Sequence, residues 1–94
     1  MSMLVRFTNP DSPTSTDQYD QVLQRLEADS GQWPPEGMEY HCAFLVDGSI
    51  NVSEVWESEE KFRAFGERLM PILADAGIDP GEPAILEVHN TVKG

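Results

Sequence analysis

Basic residues are scarce in this chain: six Lys and Arg stand against seventeen Asp and Glu, a formal charge of −11. That deficit excludes nucleic acid and anionic membrane surfaces as partners, since both require a positive footprint. A solvated, solubilising surface accounts for the acidity. Cysteine is nearly missing. Cys42 alone cannot form an internal disulfide, so a reducing, cytoplasmic setting is expected. Long apolar runs are also absent, and the first residues carry no charged-then-apolar signal, which excludes a membrane span. Repeats, nucleotide loops, serine triads and glycosidase-like carboxylate pairs are not found either.

What is present fills one domain, residues 1–94. A chain of this length buries only roughly 60–65% of its unfolded surface, so a partner that covers more of it is expected. Met3 to Phe7 reads as a strand, ended by Asn9-Pro10-Asp11-Ser12-Pro13. Ser15 and Gln18 form a capping box for a helix whose apolar face is Tyr19, Val22, Leu23 and Leu26. A loop from Ser30 to Gly37 carries Gly31, Trp33, Pro34 and Pro35, and Glu39 to Val46 is the second strand. Asp47-Gly48 is a two-residue hairpin signal, and Ile50 to Trp56 is the return strand. Ser58 caps a second helix with Phe62, Phe65, Leu69, Leu73 and Ala76 on its inner stripe. Pro71 is expected to kink that helix, Gly77 to end it, and Ala84 to Val92 to close the chain as a strand.

This order predicts an α+β, ferredoxin-like βαββαβ fold, a four-stranded sheet with both helices on one face. First and third strands are expected side by side and parallel, second and fourth at the edges. The helix-free face then needs a cover, and a second copy of the chain is the expected one.

The hairpin also places side chains. If Asp47 and Gly48 are the turn, His41 lies opposite Glu54 and Glu39 opposite Trp56. Alternation puts His41, Glu54 and Trp56 on one face with Ala43, Leu45, Ile50 and Val52. A carboxylate beside an imidazole fixes its tautomer and favours its charged form, the geometry of a general base, and equally that of an ordinary cross-strand pair. Arg6 is placed to reach Glu54 if its register allows. Trp33 is a candidate lid. Cys42 falls on the other face as a small buried thiol. His41 and His89 lie on opposite edge strands, and Glu39-Tyr40-His41-Cys42 alternates its side chains, so no metal site is expected.

Val55-Trp56-Glu57-Ser58, a strand ending on Trp that runs straight into a helix carrying Phe62 and Phe65, resembles a signature of the dimeric α+β barrel superfamily. Within it the chain is similar to small proteins like the antibiotic biosynthesis monooxygenases, over nearly its whole length in element order. The resemblance implies a homodimer with sheets packed face to face, forming a dimeric α+β barrel, and a pocket between sheet and helices. It implies cofactor-independent oxygenase chemistry on an aromatic or enolic molecule, with no bound cofactor. Only Trp56 carries over from the resemblance, walling the pocket and stacking on the ligand. It is the hairpin register above that makes His41 the group that would deprotonate the substrate and Glu54 the one that would steer it. Phe62, Phe65, Trp33 and Arg6 would complete the binding site. The haem-degrading branch of the superfamily has a His on the second helix and an Asn on the first strand. This chain has Phe65 and Gly66 at the corresponding helix positions and Met-Leu-Val-Arg-Phe in the strand, which disfavours haem degradation. The alternative function is a non-catalytic binding or interaction protein built on the same dimer, and an open cavity touching His41 distinguishes the two.

Overall fold

Asp47 and Gly48 both adopt positive φ, 51° and 81°, in the computed structural model of the protein. That pair of conformations makes the two-residue turn whose twist matches the strands it joins. It fixes β2 (Met38–Val46) against β3 (Ser49–Trp56) in antiparallel register, Val46 opposite Ser49 and His41 opposite Glu54. The structure describes residues 2–30 and 33–92, so Gly31 and Gln32 of the expected loop lie outside the described residues. The remaining elements are β1 (Met3–Phe7), α1 (Thr16–Ser30), α2 (Glu59–Asp75) and β4 (Ala84–Glu87). Strand order is β2-β3-β1-β4, a ferredoxin-like α+β sheet.

First and third strands are neighbours and the second and fourth are edges, as expected, but β1 runs antiparallel to both β3 and β4. The expected parallel pairing is corrected by counting directions. β1 and β2 share a direction across α1, the hairpin reverses β3, and β3 slots between them. The chain also departs from expectation at Glu39. A bulge there pairs Met38 with Trp56 and Tyr40 with Val55, so Glu39 is not opposite Trp56. Its carboxylate accepts instead from the Ser2 hydroxyl at 2.6 Å.

The helices begin and end where local chemistry dictates. Ser15 Oγ accepts from the Gln18 amide at 3.1 Å and Gln18 Oε1 from the Ser15 amide at 2.9 Å, a reciprocal capping box. Ser58 Oγ accepts from the Lys61 amide and caps α2. At the other end Gly77, at φ +75°, lets the Ile78 amide reach the Leu73 carbonyl at 2.9 Å and the Gly77 amide reach that of Ala74 at 3.1 Å. This is the Schellman pair that consumes the last carbonyls of a helix. α2 continues through Pro71, the expected kink site. Pro71 and Glu67 both lie on the exposed side, where water can serve the carbonyl that the ring leaves without a donor.

The core lies between the helices and one sheet face: Val5, Val22, Leu26, Trp56, Phe62, Phe65, Ile72 and Leu73. Ile72 is buried, while the expected Leu69 and Ala76 are only partly buried and pack against the cluster. Phe62 packs on Phe7 and Trp56, with ring centroids 5.9 and 5.7 Å apart. The other face has no helix. Tyr40, Val55, Leu4 and Leu86 form a continuous row across all four strands on it, with Tyr40 and Leu86 more than half exposed. Arg6 pairs with Ser53 and Ala84 on that same face, while Val5 is the β1 residue opposite Glu54. The expected Arg6–Glu54 contact is therefore excluded by register. Cys42 shares the helix-free face and is only half-buried. β4 ends at Glu87, the last five residues of the expected strand, 88–92, are irregular, and His89 lies beyond the ladder.

Trp56 is 0% exposed. Trp56→Ala is expected to cost about 3–5 kcal/mol, the cost of emptying an aromatic site that cannot collapse. Urea unfolding at neutral pH checks this, and a loss under about 2 kcal/mol would contradict a sealed position.

Candidate functional site

A cavity opens between the helices and the sheet, at the end of the core that holds His41 and Glu54. It has about 100 Å³ of interior space, within about 720 Å³ of atom-free space once its mouth is counted. β3 supplies Val52 and Glu54, β2 supplies His41, α1 supplies Tyr19 and Val22, and α2 supplies Phe65. Trp33, in the loop before β2, also lines it.

Four polar groups form one chain of hydrogen bonds from the core to this cavity. The Trp56 indole N–H donates to Glu54 Oε1 at 3.0 Å. Glu54 Oε2 lies 2.7 Å from His41 Nδ1, and His41 Nε2 lies 2.6 Å from the Tyr19 hydroxyl. With a neutral imidazole, Glu54 holds the proton on Nδ1 and leaves Nε2 to accept from Tyr19. The Glu54 side chain is 5% exposed and that of His41 19%, so the pair sits where water screens little. Burial, followed by the charge of the nearby Glu54 carboxylate, pushes the Tyr19 hydroxyl above its ordinary value of 10.0. It is a neutral donor throughout the physiological range.

The positions of these groups follow from the elements beneath them. Alternation on β3 puts Glu54 and Trp56 on one face, and the hairpin puts His41 across from Glu54. α1 is placed over His41 by its entry loop: the Ile50 amide donates to the Thr14 carbonyl at 2.9 Å, and the Thr14 amide donates to Ser49 Oγ at 3.1 Å. Gln18 Nε2 then donates to the Ala76 carbonyl at 3.1 Å and ties the start of α1 to the end of α2. Tyr19, one residue on, lands with its ring stacked beside His41, centroids 6.0 Å apart.

Of the expected site residues, His41, Glu54, Phe65 and Trp33 are brought together at the cavity. Trp33 meets His41 edge-on at 5.4 Å and Phe65 at 6.4 Å between centroids. Its loop is held by Lys61, whose Nζ donates to Glu36 at 3.1 Å and Glu57 at 3.3 Å. Gly37, at φ +92°, lies so close that a β-carbon there would come within 2.6 Å of the Lys61 side chain. Trp56 is on the His41 face as expected, but it stands behind Glu54 and does not line the cavity. The expectation that it walls the pocket and stacks on a ligand is corrected: the ring is sealed by Phe62 and Phe65, and only its N–H acts toward the site, through Glu54. Phe62 is core, not lining, and Arg6 is on the opposite face.

Tyr19 is the residue that reading the sequence passed over. It counted as one more apolar position on α1. The signal available was its hydroxyl, the one polar tip on a stripe otherwise made of Val22, Leu23 and Leu26. Among the described residues no group of three or more His, Cys, Asp or Glu is placed to hold a metal, and no helix is long and apolar enough to cross a membrane.

Comparison with solved structures places this arrangement on a known scaffold. SnoaB, a cofactor-independent oxygenase from Streptomyces nogalater, is 18% identical, with a TM-score of 0.60 over 99% of this chain and 96% of that one. A monooxygenase from the gene ActVA-Orf6 of Streptomyces coelicolor, solved with nanaomycin D, is 15% identical, with a TM-score of 0.53 over 99% and 90%. The chain has the fold of the antibiotic biosynthesis monooxygenase-like proteins. A protein of unknown function from Nitrosomonas europaea shares it too, at 17% identity, a TM-score of 0.53 and coverage of 99% and 94%. No family model matches the chain, and no curated protein matches it in sequence.

Stability should depend on Tyr19 at high pH. Unfolded, its hydroxyl ionises near 10; folded, it keeps its proton to higher pH. Tyr40 behaves alike, through a hydrogen bond with Cys42. The contribution is therefore complete below pH 10 and is lost as pH rises through the folded values. Urea midpoints measured from about pH 9 to pH 11 should fall, and Tyr19→Phe should flatten that fall.

Proposed function

We propose that the protein is a homodimeric, cofactor-independent monooxygenase-like enzyme that acts on a small phenolic or enolic molecule in this cavity. The observation that carries the reading is the Trp56–Glu54–His41–Tyr19 hydrogen-bond chain ending at a largely apolar pocket. The substrate hydroxyl gives its proton to Tyr19 Oη as the Tyr19 proton passes to His41 Nε2. Glu54 stabilises the imidazolium that results, so His41 is the base and Tyr19 the group that meets the substrate. The enolate or phenolate is then electron-rich enough to bind dioxygen at carbon. The peroxide takes the proton back from His41 and loses water, so that CH2 and O2 become C=O and H2O, with every electron drawn from the substrate. SnoaB, a cofactor-independent oxygenase with this fold, supports the reading.

One observation favours the rival, a non-catalytic binding protein: both ring nitrogens of His41 already have partners, as in a satisfied core histidine. Oxygen uptake with a panel of phenols and cyclic enols separates the two. His41→Gln should lower kcat/KM about a hundredfold or more with the circular dichroism spectrum unchanged. Uptake by the variant at the wild-type rate would defeat the mechanism, and no uptake by wild type across the panel would favour the rival.

The homodimer rests on the row of Tyr40, Val55, Leu4 and Leu86, an apolar band with no helix over it. A second copy that buries this band supplies the surface that a chain of this size lacks. Native mass spectrometry at micromolar concentration should give twice the 10.5 kDa chain mass, and Leu4→Asp should give the single mass. A cytoplasmic location fits a lone, half-buried thiol.

A further inference from the structure

The size and charge of the molecule that fits are set by the same walls. An enclosed apolar cavity of roughly 150 Å³ admits benzene. The interior here is about 100 Å³, so a single ring fills it with its outer edge in the mouth, and a second fused ring would have to lie outside the interior. The walls are not free to spread. The Trp33 loop is tied to α2 through Lys61, and at the opposite end Asn9 Nδ2 donates to the Asp79 carbonyl at 2.9 Å. The charged side chains that line the space are Glu54 and Asp79, with no Lys or Arg among the lining residues. An anionic ligand would give up water and find carboxylates, whereas a neutral hydroxyl finds Tyr19.

Building on the function proposed above, we propose that the cavity selects a neutral, single-ring hydroxyaromatic or enol, held by its hydroxyl on Tyr19, and rejects carboxylated and fused-ring relatives. Tyr19 is then the specificity-determining residue, and Asp79 guards the mouth against anions. This narrows the aromatic or enolic molecule that the resemblance implies, and it follows from the volume, the charges and the Tyr19 hydroxyl of the cavity.

Anaerobic calorimetric titration at neutral pH tests the selection without requiring turnover. The ligands are para-cresol, toluene, para-hydroxybenzoate and alpha-naphthol. Para-cresol should bind about tenfold or more tightly than each of the other three. Tyr19→Phe should remove about tenfold from para-cresol and leave toluene unchanged, and Asp79→Asn should narrow the gap to para-hydroxybenzoate by a few-fold. Equal binding of para-hydroxybenzoate or alpha-naphthol, no binding of para-cresol, or equal loss of cresol and toluene in Tyr19→Phe would each overturn the proposal. Cresol binding with these preferences but no oxygen uptake on any phenol would keep the selection and overturn only the oxidation. Uptake with a larger or anionic substrate would do the reverse.

Discussion

A carboxylate removed from water needs a donor on each oxygen, and Glu54 is where this molecule meets that condition. Its two oxygens take one donor from the dry core, the Trp56 indole, and one from the cavity side, His41. Trp56 sits two residues along the same strand, and His41 directly across it, so both donors arrive without any bending of the sheet. The large aromatic residue at the end of β3 is thus a partner for a buried charge as well as a filler of volume. Removing it would strand that charge in addition to opening a void.

The helices complete what the sheet begins. α2 enters immediately after Trp56, and Phe62 and Phe65 close over the indole and keep water from Glu54 on the core side. α1 enters from a loop hydrogen-bonded to the start of β3, so its first turns overlie His41. The polar chain runs from the driest part of the protein to the cavity, and each member is oriented by the one behind it. Lys61 and Gly37 hold the Trp33 loop at one end, and the Schellman turn at Gly77 sets Ile78 and Asp79 at the other.

Much of this was legible because two signals are local. Asp47-Gly48 determines the turn, and the turn determines the register, so the His41–Glu54 pair follows by counting. Capping residues located both helix starts for the same reason. The features not legible depend on contacts far apart in the chain. Glu39 reads as an ordinary strand residue, and only the meeting of β2 with the end of β3 shows that a bulge displaces it. The face of Arg6 depends on how β1 is registered against β3, which no turn specifies. Tyr19 is ambiguous by composition, since a tyrosine on an apolar stripe is as good a core residue as a ligand to histidine. Whether Trp56 is open or sealed depends on where Phe62 and Phe65 come to rest, a matter of packing depth that periodicity does not encode.

The alternation along β2 has a further consequence. His41, Ala43 and Leu45 point toward the helices, while Tyr40, Cys42 and Phe44 point away from them. Two unrelated tasks are therefore written on interleaved letters of one segment, and each can be revised without rewriting the other. Exchanging His41, the β2 residue that lines the cavity, changes what enters it, while the even-numbered positions preserve the outer sheet surface. A single-residue insertion in the strand is a different kind of event, since it would transpose the two texts at once.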